Sequence, residues 1–263
     1  MNAPSITDTA YTVGRPAVEE FDGLGFTRIR RVFDAPALRD LTAEIEARLQ
    51  GAPTHDGGVP GSYLCVPNVW RHGEVAARFV LSRRLGRIAA DLLGVRSVRI
   101  LYDVAMMRRP GDGAVPWHVD QARFPFSSDR VVTLCLHLHD VLPECGPISF
   151  AAGSHRLGRE WLAAPADRID PSSYGIEEIS TEQFASGDAS LHLGWTLHGA
   201  QVNRSDRPVL TLGIVYIDGD IEVADPVSEA QARELRRWMP GAQVGRVPDT
   251  PMNPVVYRAP IAI

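Results

Sequence analysis

Apolar side chains recur at helical spacing in three parts of the chain. In the segment 35–50, leucine and isoleucine fall at intervals of three or four residues, with Asp34 at the N-cap position and Pro36 in the first turn. The segment 82–93 carries a second apolar stripe and ends before a glycine. Residues 226–240 show a helical pattern as well. We therefore predict an amphipathic helix in each of these segments.

From residue 97 the pattern changes to short apolar or alternating runs separated by proline and glycine. The runs are "SVRILYDVAMM", "RVVTLCLHLHDV", "GPISFAAG", "ASLHLGWTLHG" and "RPVLTLGIVYID". Several short strands between turn residues indicate a β-sandwich or barrel. Residues 51–62 are rich in glycine and proline and predict a surface loop. We expect the helices to pack against the outside of the β structure.

Length and composition favour one domain. The chain has 263 residues, of which 44% are hydrophobic, and it shows no internal repeat and no low-complexity linker. We predict a single domain over 1–263, with a loose arm over 1–16 and helical support over 17–95. The β core is expected over 96–220 and a C-terminal extension over 221–263.

Charge and targeting signals restrict the partners. The formal net charge is -5, and lysine and arginine are scattered rather than clustered, so we expect no nucleic-acid partner. The first residues resemble no secretion signal, and no apolar run is long enough to span a bilayer. Three cysteines without close spacing predict buried, reduced thiols in the cytoplasm: Cys65, Cys135 and Cys145.

His118 and Asp120 lie two positions apart in "PWHVDQARFPF". Residues i and i+2 of a strand project from the same face, so the two side chains can converge on one point where a strand ends. A neutral imidazole and a carboxylate suit a divalent metal that also takes a third ligand from elsewhere in the chain. The same tripeptide also arises by chance on exposed strands, so the pair alone does not establish a metal site.

Two histidines, His192 and His198, are candidates for the third ligand. His198 lies at the end of an apolar run and is followed by glycine, whereas His192 lies within a strand and is expected to be buried beside the site. His137 and His139 share a strand face, which leaves a four-histidine cupin site open. Because both precede an aspartate at a strand end, we expect them to face solvent.

Several segments together resemble the phytanoyl-CoA dioxygenase family of iron(II)- and 2-oxoglutarate-dependent oxygenases. They are the H-x-D pair, "VLPECGPISFAAGSHRLG", "LHGAQVNRSDRP" and the opening "VEEFDGLGFTRIRRVFDAPALRDL". The resemblance implies a double-stranded β-helix, a jelly roll of two sheets with flanking helices. It also implies that His118, Asp120 and His198 are the iron ligands and the catalytic residues, with 2-oxoglutarate and O2 as co-substrates. Related halogenases lack the carboxylate ligand, so Asp120 favours hydroxylation or another oxidation over halogenation.

One position departs from the family pattern. The family normally places an arginine on the strand after the last histidine, where it pairs with the distal carboxylate of 2-oxoglutarate, and here Val209 stands at that position. Arg207 has the same strand parity and is the first candidate for a replacement. Arg108 and Arg109 are further candidates, one of which is expected to enter the cavity. Each of them could equally be a solvated surface side chain.

The resemblance extends to the surroundings of the metal. Thr133 resembles a family position that contacts the keto acid, although threonine is also common in strands. Arg123 is a candidate for an acidic substrate group, and Trp117 and Phe124 are candidates for the substrate pocket or for core packing. The loops 51–70 and 157–180 are expected to form a substrate lid, and "GSHR" at 153–156 a structural turn.

The function expected from this resemblance is oxidation of a C–H bond of a small organic molecule, as a tailoring step of biosynthesis or catabolism. The oxidation could be a hydroxylation, desaturation, epimerisation or cyclisation. A second hypothesis is a cupin-like metalloenzyme that does not use 2-oxoglutarate, which Val209 keeps open. A third is a binding protein on the same fold, against which the intact metal ligands argue.

Overall fold

The computed structural model describes residues 7, 9, 11–52, 54–55, 63–163, 169–180 and 183–260. Within them the helices are α1 Arg15–Leu24, α2 Ala35–Leu49, α3 Glu74–Val80, α4 Arg83–Leu93 and α5 Glu229–Trp238. The strands are β1 Phe26–Ile29, β2 Thr54–His55, β3 Tyr63–Pro67, β4 Ser97–Arg108, β5 Val115–His118, β6 Val131–His137, β7 Ile148–Ala151, β8 Glu178–Ser180, β9 Ala189–Leu193, β10 His198–Ala200, β11 Val209–Asp218 and β12 Val255–Arg258.

The strands form two antiparallel sheets. The large sheet has the order β1-β9-β6-β11-β4-β3-β2, with β12 also paired to β4, and the small sheet has the order β5-β10-β7-β8. Residues of both sheets line one cavity. This arrangement confirms the predicted double-stranded β-helix with flanking helices.

Strand alternation explains why the large sheet has one apolar face and one functional face. On β6, Leu134 and Leu136 are fully buried in the main hydrophobic core together with residues of α2 and α4. Their neighbours Thr133, Cys135 and His137 project from the opposite face and line the cavity. The large sheet is therefore packed against helices on one side and presents the cavity on the other.

The predicted helices are confirmed to within a few residues, and their ends show the expected capping. The Asp34 carboxylate accepts a hydrogen bond of 3.0 Å from the Ala37 N–H at the start of α2. Before α4, the Ser82 hydroxyl accepts from the Leu85 N–H at 3.2 Å. Helix α4 ends at Gly94, whose φ of 63° is the left-handed conformation that glycine adopts readily.

The region 17–95 was expected to consist of helices that support the β core, but the structure shows strands in it as well. It contributes β1, β2 and β3 to the large sheet, in addition to most of α1 and all of α2, α3 and α4. Helix α1 and helix α3 were not predicted, because each is short and α1 has only Phe21 as a buried side chain. Of the predicted N-terminal arm, residues 1–6, 8 and 10 lie outside the described residues.

None of the helices in the described part of the chain is long and apolar enough to cross a membrane.

Replacing Ile45 by alanine should lower the free energy of unfolding by about 2–5 kcal/mol. The Ile45 side chain is fully buried between α2 and the large sheet, so truncation leaves a cavity that the packed core cannot fill. Urea denaturation measures the difference. Asp40→Ala on the exposed face of the same helix is the matched control, with an expected change within about 0.5 kcal/mol. Equal losses for the two variants would contradict the assigned core.

Candidate metal centre

Two adjacent strands of the small sheet bring His118 and His198 together. His118 is the last residue of β5, His198 is the first residue of β10, and the two are direct partners in the antiparallel register. The centroids of their rings lie 4.2 Å apart. Asp120 follows two residues after His118, where the strand turns into the short helical segment Gln121–Arg123. One potential ligand atom from each of His118, Asp120 and His198 lies within 4.8 Å of the others.

Backbone carbonyls fix which nitrogen of each imidazole faces the centre. The Nδ1–H of His118 donates to the Pro116 carbonyl at 2.7 Å, and the Nδ1–H of His198 donates to the Thr196 carbonyl at 2.9 Å. In both rings Nε2 therefore carries the lone pair. Burial lowers the pKa of His118 and holds that of His198 well below its usual value, which favours the neutral form that binds metal.

Asp120 is held from the side away from the two ligand histidines. Its Oδ2 accepts a hydrogen bond of 2.7 Å from the Thr133 hydroxyl and contacts His192 Nε2 at 3.3 Å. Its Oδ1 lies 3.7 Å from His118 Nε2. Burial acts to raise the pKa of Asp120, but the neighbouring imidazoles of His198 and His192 and the Arg123 guanidinium hold it well below its usual value. The carboxylate therefore presents an ionised Oδ1 to the centre.

This donor set fits a ferrous ion. Two neutral imidazole nitrogens and one carboxylate oxygen, all on one side of a point, are the facial arrangement that non-haem iron oxygenases use. The other side faces the cavity, so exogenous ligands have access to it. His192 lies outside the group of converging ligand atoms, and its Nε2 instead contacts Asp120. It thereby has the supporting place expected from the sequence.

Substituting Thr133 by valine should weaken metal binding by about 10-fold while leaving the affinity of the metal-loaded protein for the keto acid unchanged. Valine keeps the shape of the side chain but removes the hydroxyl that donates to Asp120. Competition with a chromophoric chelator measures the metal affinity. The direct contact with the keto acid that we expected for Thr133 predicts the reverse pattern, in which keto-acid binding suffers and metal binding does not.

Val209 and its cross-strand partner form the end of the cavity away from the metal centre, which we call its far end; residues paired across adjacent strands are called a row. Val209 is 5% exposed and lines the cavity, and in the register between β11 and β4 its partner is Arg108. Paired residues of antiparallel strands project from the same face, so the guanidinium of Arg108 enters the cavity beside the valine. It donates hydrogen bonds to the carbonyl oxygens of Gly146 and Gln201.

Arg207 does not reach the cavity. The side chain of Asn203 donates to the carbonyls of Arg207 and Arg108 and holds residues 203–207 in a turn, so β11 begins only at Val209. The Arg207 side chain is 58% exposed and lies 3.8 Å from the Asp206 carboxylate. The strand parity from which we placed Arg207 in the cavity therefore does not apply. Arg109 is also directed away from the cavity, since it pairs with Asp112 at 3.1 Å.

The three residues proposed for the substrate pocket are placed differently from one another. Arg123 lines the cavity and donates to the Tyr102 hydroxyl and to Asp120 Oδ1, each at 3.4 Å. Trp117 does not line the cavity, because it precedes His118 on β5 and so projects from the opposite face into a separate apolar cluster. Phe124 is 3% exposed and packs against Tyr102, so it serves core packing.

His137 and His139 were expected to face solvent, and for His137 this is wrong. Its side chain is 5% exposed and lines the cavity, because it shares the parity of Thr133 on β6. His139 is partly exposed and lies beyond the strand, 3.2 Å from Glu46. No group of metal-ligating side chains among the described residues includes either histidine, so the four-histidine arrangement does not form there.

The remaining sequence predictions have mixed outcomes. All three cysteines are free, and Cys135 and Cys145 are buried, whereas Cys65 is half-buried. Of the predicted lid, residues 53, 56–62 and 164–168 lie outside the described residues. The described part of its first loop includes β3, whose Tyr63 lines the cavity. In the "GSHR" turn, the Ser154 hydroxyl accepts from the Leu197 N–H at 2.9 Å, next to His198.

Comparison with known proteins identifies the chain's relatives. The phytanoyl-CoA dioxygenase family profile matches residues 21–208. Among solved structures, the non-haem α-ketoglutarate-dependent epimerase SnoN from nogalamycin biosynthesis superimposes with a TM-score of 0.76 at 20% identity, covering 92% of this chain and 97% of that one. The carbocyclase SnoK of the same biosynthesis gives 0.75 at 21% identity, covering 92% and 96%.

A third structure, EctD from S. alaskensis, gives a TM-score of 0.69 at 18% identity and covers 86% of each chain. At these identities the structures show a shared fold, and no curated protein sequence matches the chain. The family match spans most of the chain and contains all three residues of the candidate metal centre. The chain therefore belongs to the phytanoyl-CoA dioxygenase family.

Proposed function

We propose that this protein is an iron(II)- and 2-oxoglutarate-dependent oxygenase that oxidises a C–H bond of a small organic molecule in a biosynthetic tailoring step. The observation that carries the proposal is the convergence of His118, Asp120 and His198 at the cavity in a chain of this family. The structural relatives support it, since two of them are α-ketoglutarate-dependent enzymes of nogalamycin biosynthesis.

The three side chains would hold iron on one face and leave the opposite face to ligands from the cavity. When bound with 2-oxoglutarate and O2, iron supplies an oxidant that removes hydrogen from a C–H bond, while the keto acid is converted to succinate and CO2. The protein's own part is to orient these ligands and to exclude water. The cavity walls near the far end serve that purpose, because they are largely apolar: Val141, Pro147, Ile148, Ala200 and Val209.

Arg108 is the residue that we assign to the distal carboxylate of 2-oxoglutarate. It takes the place of the family's usual arginine from the neighbouring strand, since it is the register partner of Val209. Its guanidinium is hydrogen-bonded to two carbonyls, but it forms no ion pair with any carboxylate among the described residues. A cation in a largely apolar cavity, whose hydrogen-bond partners are both neutral carbonyls, favours an anionic ligand.

The substrate end of the cavity contains Arg123 and two tyrosines, Tyr63 and Tyr102. Arg123 contacts the hydroxyl of Tyr102, and Tyr102 and Arg108 lie six residues apart on β4, so the Cα atoms of these two residues are about 20 Å apart along the strand. We therefore place the co-substrate toward Arg108 and the substrate toward Arg123. Asp120 would supply the carboxylate ligand that related halogenases lack, so hydroxylation, desaturation, epimerisation or cyclisation are the outcomes consistent with the site.

Production of succinate tests this proposal. Iron(II)-loaded protein given 2-oxoglutarate and O2 should form succinate slowly even without its substrate, and the His118→Ala variant should not. Succinate and residual 2-oxoglutarate are measured by mass spectrometry. A cupin-like enzyme that does not use 2-oxoglutarate, the alternative that the valine at position 209 keeps open, predicts a bound metal with no succinate above the level of the variant.

A further inference from the structure

His137 is a buried histidine that the metal centre does not use. It is the last residue of β6 and is 5% exposed at the cavity. Its ring stacks on Phe184, with 3.9 Å between the ring centroids. This stacking fixes the plane of the imidazole.

Only one of these nitrogens has a partner among the described residues. Nδ1 lies 3.4 Å from the hydroxyl of Thr211, its register partner on β11, whereas Nε2 is buried without a hydrogen-bond partner. Burial lowers the pKa of His137 to about 3, so the ring is neutral and carries one N–H. If the Thr211 hydroxyl donates to Nδ1, that proton resides on Nε2. A buried donor without an acceptor is destabilising, and a ligand that accepts its hydrogen bond would offset that cost.

The position of His137 indicates what that ligand is. Thr211 follows Val209 by two residues on β11, so the pair of His137 and Thr211 lies about 7 Å from the row of Val209 and Arg108. Thr133, the residue that holds Asp120, lies four residues before His137 on the same face of β6. His137 thus stands between the metal centre and the row that contains Arg108. A keto acid that extends from the metal toward Arg108 passes this side chain.

We propose that His137, oriented by Thr211, donates a hydrogen bond from Nε2 to the distal carboxylate of 2-oxoglutarate. Together with Arg108, it would take over the role of the arginine that the family usually has at the position of Val209. The inference rests on the proposed use of 2-oxoglutarate. It assigns two residues of this chain to co-substrate selection: the carboxylate receives one charged partner from β4 and one neutral donor from β6. The carbon chain between the metal and the carboxylate contacts the apolar wall.

Comparing two keto acids tests the assignment. 2-Oxobutyrate has the same metal-binding end as 2-oxoglutarate but no distal carboxylate, and both are titrated anaerobically into iron(II)-loaded protein while the visible charge-transfer band is recorded. In His137→Phe, which retains a ring to stack on Phe184, the Kd for 2-oxoglutarate should rise at least about 10-fold. The Kd for 2-oxobutyrate should stay within about twofold of wild type. His137→Gln, whose amide can donate from a similar position, should recover part of the loss.

Two further variants are needed: Thr211→Val tests the orienting hydroxyl, and His139→Gln is the control. Thr211→Val removes the hydroxyl beside Nδ1 and should weaken 2-oxoglutarate selectively, by less than His137→Phe does. His139→Gln changes a histidine two residues further along and should leave both affinities unchanged. Equal weakening of the two keto acids, or no change in either, in both the His137 and the Thr211 variants would overturn the assignment. Wild-type protein that binds iron but neither keto acid would instead contradict the proposed function itself.

Discussion

Substituting His198 by alanine should weaken iron(II) binding by at least about 100-fold and abolish the conversion of 2-oxoglutarate to succinate. Loss of a residue that supports a metal ligand costs about 10–100-fold in affinity, and loss of one of three ligands should cost more. His198 is 6% exposed and its Nδ1–H is committed to the Thr196 carbonyl, so no other orientation of the ring is favoured. Anaerobic chelator competition gives the iron affinity.

His72→Ala is the control for this experiment. His72 is exposed and lies outside the metal-ligating group, so its replacement should leave iron affinity unchanged. Thermal unfolding of both variants shows whether the fold is retained. Full iron affinity in a folded His198→Ala protein would contradict the assigned ligand set and direct attention to His192, whose ring centroid lies 4.1 Å from that of His198.

Replacing Arg108 by methionine should raise the Kd for 2-oxoglutarate by about 10–100-fold, with little change in the Kd for 2-oxobutyrate. A charge-assisted, bidentate contact with a carboxylate contributes about 1.5–3 kcal/mol, and methionine retains much of the side chain's length without the charge. Isothermal titration of metal-loaded protein without O2 measures both constants. The loss should appear in 2-oxoglutarate binding, because Arg108 lies at the end of the cavity away from the residues that hold Asp120.

Arg207→Met separates the two candidate arginines. Arg207 precedes β11 and is 58% exposed, so this variant should bind 2-oxoglutarate as wild type does. The opposite result, with Arg207→Met defective and Arg108→Met unaffected, would show that the turn at 203–207 rearranges when the co-substrate binds. Arg207, the residue that strand parity first suggested, would then be the one that binds the distal carboxylate of 2-oxoglutarate.

Local rules were enough to predict α2, α4 and α5 and to single out His118 and Asp120 as candidate metal ligands. The stripe of leucines in 35–50 and the cap at Asp34 depend on neighbours in sequence, and the structure shows them as expected. Two of the ligands, His118 and Asp120, are likewise close in sequence, and His198 followed from the resemblance to the family. These features depend on spacing within one element or on a motif.

The features that could not be predicted depend on pairing between distant strands. That Arg108 stands beside Val209 follows from the register of β4 with β11, and no pattern within either segment states that register. The turn that displaces Arg207 depends on Asn203, which bonds to a carbonyl 95 residues away in sequence. The burial of His137 could have been predicted from β6 itself. Thr133, Cys135 and His137 alternate with leucines along this strand, so all three project from the face opposite the leucines.

The most direct test of the central claim is an anaerobic titration of the iron(II)-loaded protein with 2-oxoglutarate, monitored for the weak visible metal-to-ligand charge-transfer band. We predict a band that saturates at one equivalent of 2-oxoglutarate in wild type and is absent in His118→Ala. Iron bound at one equivalent without any band on addition of 2-oxoglutarate would contradict the account. The centre formed by His118, Asp120 and His198 would then serve a metal chemistry that does not involve this keto acid.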